Sequence, residues 1–208
     1  MYLFIDTETT GLPTVPRAPH TDLAAWPRIV SVCWALYSAP ESQQLYRYTI
    51  IRPDGFAIPK DATAVHGITT ERAHQEGVAL AEVLSQLSQD IVAHSPALLI
   101  AHNVAFDRPV LLAEHLRANV AEQLICLPTF CTMATTTELC QLLPMREGHH
   151  KWPKLIELHT HLFGSTPSVS HHAGADVLHC AKCFFRLQEL GIAPRLQPHG
   201  GSIGWLGK

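Results

Sequence analysis

The sequence predicts a single α/β domain with a mixed central β-sheet flanked by helices. The length of 208 residues, with 47% hydrophobic and 16% charged residues, suits one folded domain with a substantial core. Three short runs rich in β-branched and aromatic residues come first. After residue 61, apolar residues recur at helical spacing, and one further apolar run interrupts them. Strands followed by alternating helices and strands are typical of this layered architecture.

The first three strands are predicted within residues 2–6 (YLFID), 28–37 (RIVSVCWALY) and 44–53 (QLYRYTIIRP). Their β-branched and aromatic composition favours extended structure, and we expect an antiparallel meander. Residues 9–27 separate the first two strands. This segment contains a glycine and four prolines, so it is predicted to be a surface loop.

Helical periodicity begins after the meander, with short helices predicted in 61–75 and a longer one in 79–94. Further helical stretches are expected near 131–142 and 154–163. The last strong helix is predicted to begin near Ala173 and to run to about residue 190.

The run PALLIAHN at 96–103 is very apolar and predicts a buried strand, followed by a helix within 106–120. Pro109 lacks an N–H group, so we expect it in the first turn of that helix. This would place Asp107 at the N-terminal end of the helix, just beyond the strand tip.

The composition also limits the location and the partners. MYLFIDTE lacks the basic start of a secretory signal, and no apolar stretch approaches the roughly 20 residues that span a bilayer. We therefore expect a cytoplasmic protein with no membrane partner and six reduced cysteines. The net charge of −3 disfavours tight non-specific duplex binding. Residues 1–190 are predicted to form the domain, and the Pro- and Gly-rich residues 191–208 a flexible tail.

Two acids stand at the end of the first strand. In a strand, Asp6 and Glu8 point to the same face, where their charges repel each other. Mg²⁺ or Mn²⁺ would relieve that repulsion, since both ions prefer carboxylate oxygens. On this spacing alone, a solvated strand end is an equally good interpretation.

Two more acids occupy positions that suggest a shared site. Asp107 follows the apolar strand, where α/β sheets bind ligands, although an acid there could also complement a helix dipole. Asp176 falls on the helical stripe of Cys180, Cys183 and Leu187, where an acid needs a partner. The two cysteines form a C-x-x-C pair without a second pair, which favours core packing over a zinc site.

The acids belong to three motifs in a recognisable order. D-x-E-T-T-G, H-N-x-x-F-D and H-x-x-x-x-D resemble the motifs of the DEDDh 3′ to 5′ exonucleases, the family of the proofreading ε subunits of bacterial DNA polymerase III and their stand-alone relatives. AVHGIT at 64–69 resembles a further block of the family, and KWPKLIELHTHLFG at 151–164 a stretch of some stand-alone members. The resemblance covers roughly residues 1–190. The motif residues are Asp6, Glu8, Gly11, His102, Asn103, Phe106, Asp107, His171 and Asp176.

The resemblance implies a ribonuclease H-like exonuclease fold and two divalent cations, Mg²⁺ or Mn²⁺, about 4 Å apart. It makes Asp6, Glu8, Asp107 and Asp176 the metal ligands, and His171 the general base that deprotonates the attacking water. The offset of five residues before Asp176 selects His171, with the neighbouring His172 as the competitor. Taken alone, a histidine there could equally be an ordinary polar side chain.

The resemblance also implies a set of substrate contacts around the terminal nucleotide. Backbone and hydroxyl groups would lie near the 3′-OH, a glycine would let the chain pass closely, and apolar side chains would pack on the last sugar and base. For the apolar members, plain core packing is an alternative. The predicted substrate-binding residues are Thr7, Thr9, Gly11, Leu12, His66, Asn103 and Phe106.

The function predicted from this resemblance is release of nucleoside 5′-monophosphates from the 3′ ends of single-stranded DNA or frayed duplexes, as in proofreading or repair. An exoribonuclease that trims RNA is the nearest alternative, because discrimination depends on contacts to a 2′-OH. A non-catalytic, polymerase-associated module is a third hypothesis. A DNA polymerase or a repair complex is the protein partner that the resemblance suggests.

Overall fold

The computed structural model describes residues 1–146, 148–167, 172–196 and 203–204. Its strands are β1 (Tyr2–Thr9), β2 (Ile29–Ala39), β3 (Ser42–Ile50), β4 (Leu98–Ala101), β5 (Thr129–Cys131), β6 (Leu142–Arg146), β7 (His149–Lys151), β8 (Arg195–Leu196) and β9 (Ile203–Gly204). Its helices are α1 (Lys60–His66), α2 (Thr70–Glu76), α3 (Leu80–His94), α4 (Val104–Ala118), α5 (Thr132–Thr135), α6 (Thr137–Cys140), α7 (Leu155–Phe163) and α8 (Ala173–Glu189). None of the helices in the described ranges is long and apolar enough to cross a bilayer.

Five strands form the central sheet in the order β3-β2-β1-β4-β5. The antiparallel pairings of β1 with β2 and of β2 with β3 confirm the predicted meander. Strands β4 and β5 extend the sheet in parallel to β1, which makes it mixed, as predicted. The β1–β2 register shifts between Glu8 and Thr9, so the regular pairing is interrupted beside the acids.

The alternation of side chains along β1 divides the core into two layers. Leu3 and Ile5 are buried against helices α3 and α4 on one face. Tyr2 and Phe4 are buried against α8 on the other face, and the rings of Phe4 and Phe184 meet edge to face at 5.5 Å. Helix α8 buries Cys180 and Cys183 as predicted, and all six cysteines are free thiols.

One prediction about local structure was wrong. Helix α4 begins at Val104, so Pro109 lies inside the helix and not in its first turn. The cause is Asn103, whose left-handed backbone (φ 92°) turns the chain directly from β4 into the helix. Helical structure is present where it was predicted near 131–142, divided between two four-residue helices, α5 and α6.

The first residues of the predicted tail pack against the domain. Ala193 is buried, and Gln188 donates hydrogen bonds to the Tyr2 hydroxyl (2.8 Å) and to the Pro194 carbonyl (2.5 Å). The Leu196 N–H donates to the same hydroxyl at 2.9 Å. Residues 197–202 and 205–208 of the predicted tail lie outside the described residues, and the domain boundary at 190 stays a prediction.

Candidate active site

Three carboxylates meet at the carboxyl end of β1. Asp6 and Glu8 share the sheet face that α8 covers, and Asp176 lies in the first turn of α8. One oxygen from each of the three side chains lies within 4.8 Å of the others. The structure thus brings together acids that are 170 positions apart in the sequence.

Asp107 approaches the same place from the opposite layer. It is buried in the first turn of α4, and its Oδ1 accepts hydrogen bonds from the Thr7 N–H (3.0 Å) and the Thr7 hydroxyl (2.8 Å). Thr7 points away from the face of Asp6 and Glu8. Asp107 is therefore anchored behind the other acids and is not one of the three whose oxygens lie within 4.8 Å.

Crowding and burial raise the pKa values of these acids. Burial raises the pKa of Asp6 well above its usual range, and the charges of Asp107, Asp176 and Glu8 raise it further. Burial, followed by the charges of Asp176 and Asp107, raises the pKa of Glu8 to about 7. The pKa of Asp107 is also raised to about 7 by burial, although its bonds to Thr7 oppose the shift.

The donor set suits a hard divalent cation. All the groups in the cluster are carboxylates, the ligand type that Mg²⁺ and Mn²⁺ prefer. Their mutual repulsion in a partly buried setting is the cost that a bound cation would relieve. Of the predicted ligands, Asp6, Glu8 and Asp176 are positioned to share one ion, with Asp107 supporting them from behind.

The predicted general base, His171, lies outside the described residues. Its competitor His172 immediately precedes α8, and its carbonyl accepts the N–H groups of Ala175 (2.8 Å) and Asp176 (3.0 Å). The His172 ring stacks on Tyr48 with the ring centres 4.5 Å apart. His172 thus has structural contacts that explain its presence without a catalytic role.

The loop after β1 presents an exposed apolar side chain. The Thr9 hydroxyl donates to the Gly11 carbonyl at 2.7 Å, and Gly11 has φ 151°, a conformation that favours glycine. Leu12 is 81% exposed, so it is free to pack on a ligand. Thr7 donates both of its groups to Asp107, and a contact between Thr7 and a substrate stays a prediction.

The remaining predicted contact residues lie on neighbouring elements. His66 is buried at the end of α1, where its Nδ1 accepts the Ile68 N–H at 3.1 Å. Burial lowers the pKa of His66, and the backbone of Thr9 partly offsets the effect. Phe106 is half-buried beside Trp26, with 6.4 Å between the ring centres.

A cleft of about 340 Å³ opens beside the acids. Its lining includes Asp6, Asp176 and Asn103, together with Trp152 and Lys154. Trp152 is 63% exposed, an unusual position for so large an apolar side chain. The acids thus open onto a space with an exposed aromatic ring and a cation.

His102 lines this cleft and links Pro153 to Thr132, a role that the sequence interpretation missed. Its Nε2 lies 2.9 Å from the Pro153 carbonyl and its Nδ1 lies 2.9 Å from the Thr132 hydroxyl. A carbonyl only accepts, so Nε2 carries the proton and Nδ1 accepts from the hydroxyl. Burial lowers the pKa of His102, consistent with this neutral form. Its place in the second motif was the signal available in the sequence.

Comparisons with known proteins identify the fold. No family model and no curated protein sequence matches the chain. Among solved structures, E. coli exonuclease I in complex with a dA16 oligonucleotide matches with a TM-score of 0.66 and 16% identity, over 90% of this chain and 40% of that chain. The zinc-bound form of the E. coli exonuclease I complex with single-stranded DNA matches with a TM-score of 0.67, 19% identity and the same coverage.

A third structure matches over nearly its whole length. The nuclease domain of 3′hExo, described as a DEDDh family member bound to rAMP, has a TM-score of 0.69 and 13% identity, over 94% of this chain and 95% of that domain. The chain spans about 40% of the length of the exonuclease I chains. The predicted ribonuclease H-like exonuclease fold, a mixed sheet with flanking helices, is confirmed.

Proposed function

We propose that this chain is a DEDDh-type, metal-dependent 3′ to 5′ exonuclease acting on single-stranded DNA or frayed 3′ ends. The observation that carries the proposal is the cluster of Asp6, Glu8 and Asp176, whose carboxylate oxygens lie within 4.8 Å of one another. The exonuclease fold supports it independently. A domain that only binds nucleic acid would gain nothing from clustered acids that repel phosphates.

Asp6, Glu8 and Asp176 would hold the divalent cations, with Asp107 completing the set from behind. When bound, the cations supply Lewis-acid chemistry, activating a water molecule and stabilising the negative charge on the phosphodiester. The rigid strand β1 and the first turn of α8 fix the positions of the ligands.

His171 has the proposed role of general base. It would take a proton from the water that attacks the last phosphodiester, and the 3′ oxygen of the preceding nucleotide would leave. The product is a nucleoside 5′-monophosphate and a strand shortened by one residue. The structural contacts of His172 with Tyr48 and with the start of α8 support this assignment.

The terminal nucleotide is proposed to pack against the exposed side chain of Leu12 and the ring of Phe106, with His66 and Asn103 nearby. Apolar contacts of this kind accept any base, which suits an exonuclease without sequence preference. RNA is the second candidate substrate, because the 3′hExo nuclease domain, which the chain matches over almost its full length, is bound to rAMP.

The test is hydrolysis of labelled DNA and RNA oligonucleotides in Mg²⁺ or Mn²⁺ and in EDTA. We expect a ladder shortening from the 3′ end in metal and none in EDTA, and no shortening when the 3′ end is blocked. Equal activity in EDTA, or cleavage from the 5′ end, would contradict the proposal. A hundredfold preference for RNA would shift the substrate to ribonucleotides. A polymerase or repair partner remains a prediction from the resemblance, and a cytoplasmic location remains a prediction from the sequence composition.

A further inference from the structure

A second polar pocket, of about 420 Å³, differs in charge from the acidic site. Three arginines, Arg28, Arg52 and Arg117, line it. The acids near them are Asp54, which also lines the pocket, and Glu114, which pairs with two of the arginines. Three cations thus face two carboxylates, in a chain whose net charge is −3.

Arg28 is held rigidly and still has donors to offer. Its Nε donates to Glu114 at 2.9 Å, and its guanidinium carbon lies 4.5 Å from the centre of the Phe56 ring. Its two terminal amino groups make no hydrogen bond within the part of the chain that the structure describes. Because the side chain is already fixed, little rotamer entropy would be lost when a ligand binds.

Arg117 contributes positive charge to the pocket, and Arg52 contributes an exposed side chain that is available to a ligand. The terminal amino groups of Arg117 donate to Glu114 and to carbonyls in the segment 23–27, so this side chain is structural. Arg52 is exposed, and within the described ranges its guanidinium has neither a hydrogen bond nor an ion pair. Its backbone is fixed by a hydrogen bond from its N–H to the Val78 carbonyl at 2.9 Å.

The local charge balance favours an anion. A single oxygen of Glu114 accepts bonds from both Arg28 (2.9 Å) and Arg117 (3.1 Å), so one carboxylate serves two partly buried guanidiniums. Only 28% of the Arg28 side chain and 15% of the Arg117 side chain are exposed, which limits compensation by water. The amino end of α3, whose N-cap residue Ala79 makes no side-chain cap, adds to the positive potential.

The pocket is close to the acidic site along the chain. The Thr10 N–H donates to the Arg28 carbonyl at 2.9 Å, and the Arg28 N–H donates to the Thr10 hydroxyl at 3.0 Å. Thr10 is two residues beyond Glu8, so strand spacings place the backbone of Arg28 on the order of 10 Å from that acid. A polynucleotide with its end at the acids would reach this distance within a few nucleotides.

We propose that Arg28 and Arg52 form a phosphate-binding site for the backbone of the nucleic-acid strand whose 3′ end occupies the acidic site. The proposal rests on the proposed function. Two guanidiniums with free donors match the several oxygens and the negative charge of a backbone phosphate. The site would hold the strand without reading its bases.

The test is binding of a 5′-fluorescent 12-mer of thymidine, measured by anisotropy in EDTA so that no hydrolysis is required. Arg52→Gln should weaken binding about tenfold, the effect of losing one charged hydrogen-bonding contact, and should make the salt dependence of log K shallower by about 0.7. Arg186→Gln is the matched control, since that partly exposed arginine lies on α8, where it pairs with Glu189. Arg28→Lys keeps a charge near Glu114 but removes the fork, and should weaken binding as well.

The outcomes separate this proposal from the nuclease proposal. The phosphate site would be overturned if Arg52→Gln and Arg186→Gln lost affinity equally. It would also be overturned if Arg52→Gln retained full affinity, or if Arg28→Lys did. Both results would count even if the protein degrades DNA. Selective loss in Arg52→Gln would support the site even if no hydrolysis is seen. Inorganic phosphate serves as a competitor: displacement of the 12-mer from wild type only at high concentration supports a backbone site. Tight binding of free phosphate that Arg52→Gln removes would instead overturn the polynucleotide assignment.

Discussion

At the scale of single residues, both burial and mutual repulsion make the charged forms of the clustered acids unfavourable. A proton or a cation relieves the same repulsion, so the two compete for the same oxygens. Because the pKa of Glu8 is raised to about 7, its carboxylate is increasingly protonated below neutral pH. Metal affinity should therefore fall as pH decreases through 7.

The first prediction concerns Glu8→Gln in EDTA. The pKa of Glu8 is about 7 in the folded protein and near 4.5 in the unfolded chain. Between these values the unfolded state is ionised and the folded state is not, so wild type loses stability as pH rises. The melting temperature of Glu8→Gln minus that of wild type should grow by a few °C from pH 5 to 7.5 and then level off. Exposed Glu82 on α3 provides the control, Glu82→Gln; a difference that shrinks with pH would refute the prediction.

Asp6→Asn should separate activity from folding. The substitution removes a ligand, so hydrolysis should fall by about 100-fold or more, the equivalent of several kcal/mol of charge stabilisation. It also removes one repelling charge, so the melting temperature in EDTA should be unchanged or higher. Calorimetry and the labelled-oligonucleotide assay measure the two effects. A large loss of stability in EDTA would show that Asp6 is a structural residue.

Replacing each of the adjacent histidines by alanine tests the proposed base. His171→Ala should lower the rate by roughly 10² to 10⁴, the usual contribution of a general base, with metal binding retained. His172→Ala should lower mainly the melting temperature, because it removes the stacking on Tyr48. If the larger rate loss follows His172→Ala, the assignment is off by one residue.

Prediction of single residues from the sequence succeeded where the same requirement, an acid that needs a partner, recurs along the chain. Acids at the end of the first strand and at the start of a helix were identifiable because burial makes them costly, and the structure brings Asp6, Glu8 and Asp176 together. The hydrogen bonds of His102 to Pro153 and Thr132 were not predicted, and neither was the pocket around Arg28. Both depend on which backbone carbonyl or carboxylate lies opposite a side chain, and the spacing of residues carries no such information.

At the scale of elements, the short link between α2 and α3 fixes the end of β3. Gly77 lies so close to the chain there that an added Cβ would be 2.6 Å from the Arg52 nitrogen and 2.2 Å from the Ala73 carbonyl oxygen. Both neighbours are backbone atoms, which cannot move away cheaply. The same link therefore determines where the side chain of Arg52 begins.

Gly77→Ala should destabilise the protein by about 1–3 kcal/mol or more, the cost of forcing a methyl group into filled space. Urea denaturation monitored by circular dichroism measures the loss. Gly164→Ala is a control that changes only a left-handed helix end, with nothing within 4 Å of the new methyl group, and should cost about 1 kcal/mol. Equal losses in the two variants would argue against the close approach.

Element prediction was least precise where elements are short. The three residues of β5 and the four-residue helices α5 and α6 contain too few side chains for a period to show. Pro109 was misplaced because the sequence does not reveal that Asn103 adopts a left-handed backbone. Long amphipathic segments such as α3 and α8 were predicted nearly to their ends, since their buried stripes repeat over several turns.

At the scale of the whole molecule, cation binding should be visible as global stability, because the ligands join the central strand to helices on both faces. A cation at 100 times its dissociation constant adds about 2.7 kcal/mol, or about 5–10 °C in melting temperature for a chain of this size. Thermal melts with Mn²⁺ and with EDTA measure the shift. Asp176→Asn should abolish most of it, and an unchanged shift in that variant would place the ion elsewhere.

The four acids reach the site from three well-separated parts of the polypeptide, and this has a practical consequence. A cut in the connection after α4 would leave Asp6, Glu8 and Asp107 on one fragment and Asp176 on the other. Neither piece would own a complete set of ligands. Manganese binding by a mixture of the two fragments would therefore measure the fraction of fragment pairs that had reassembled.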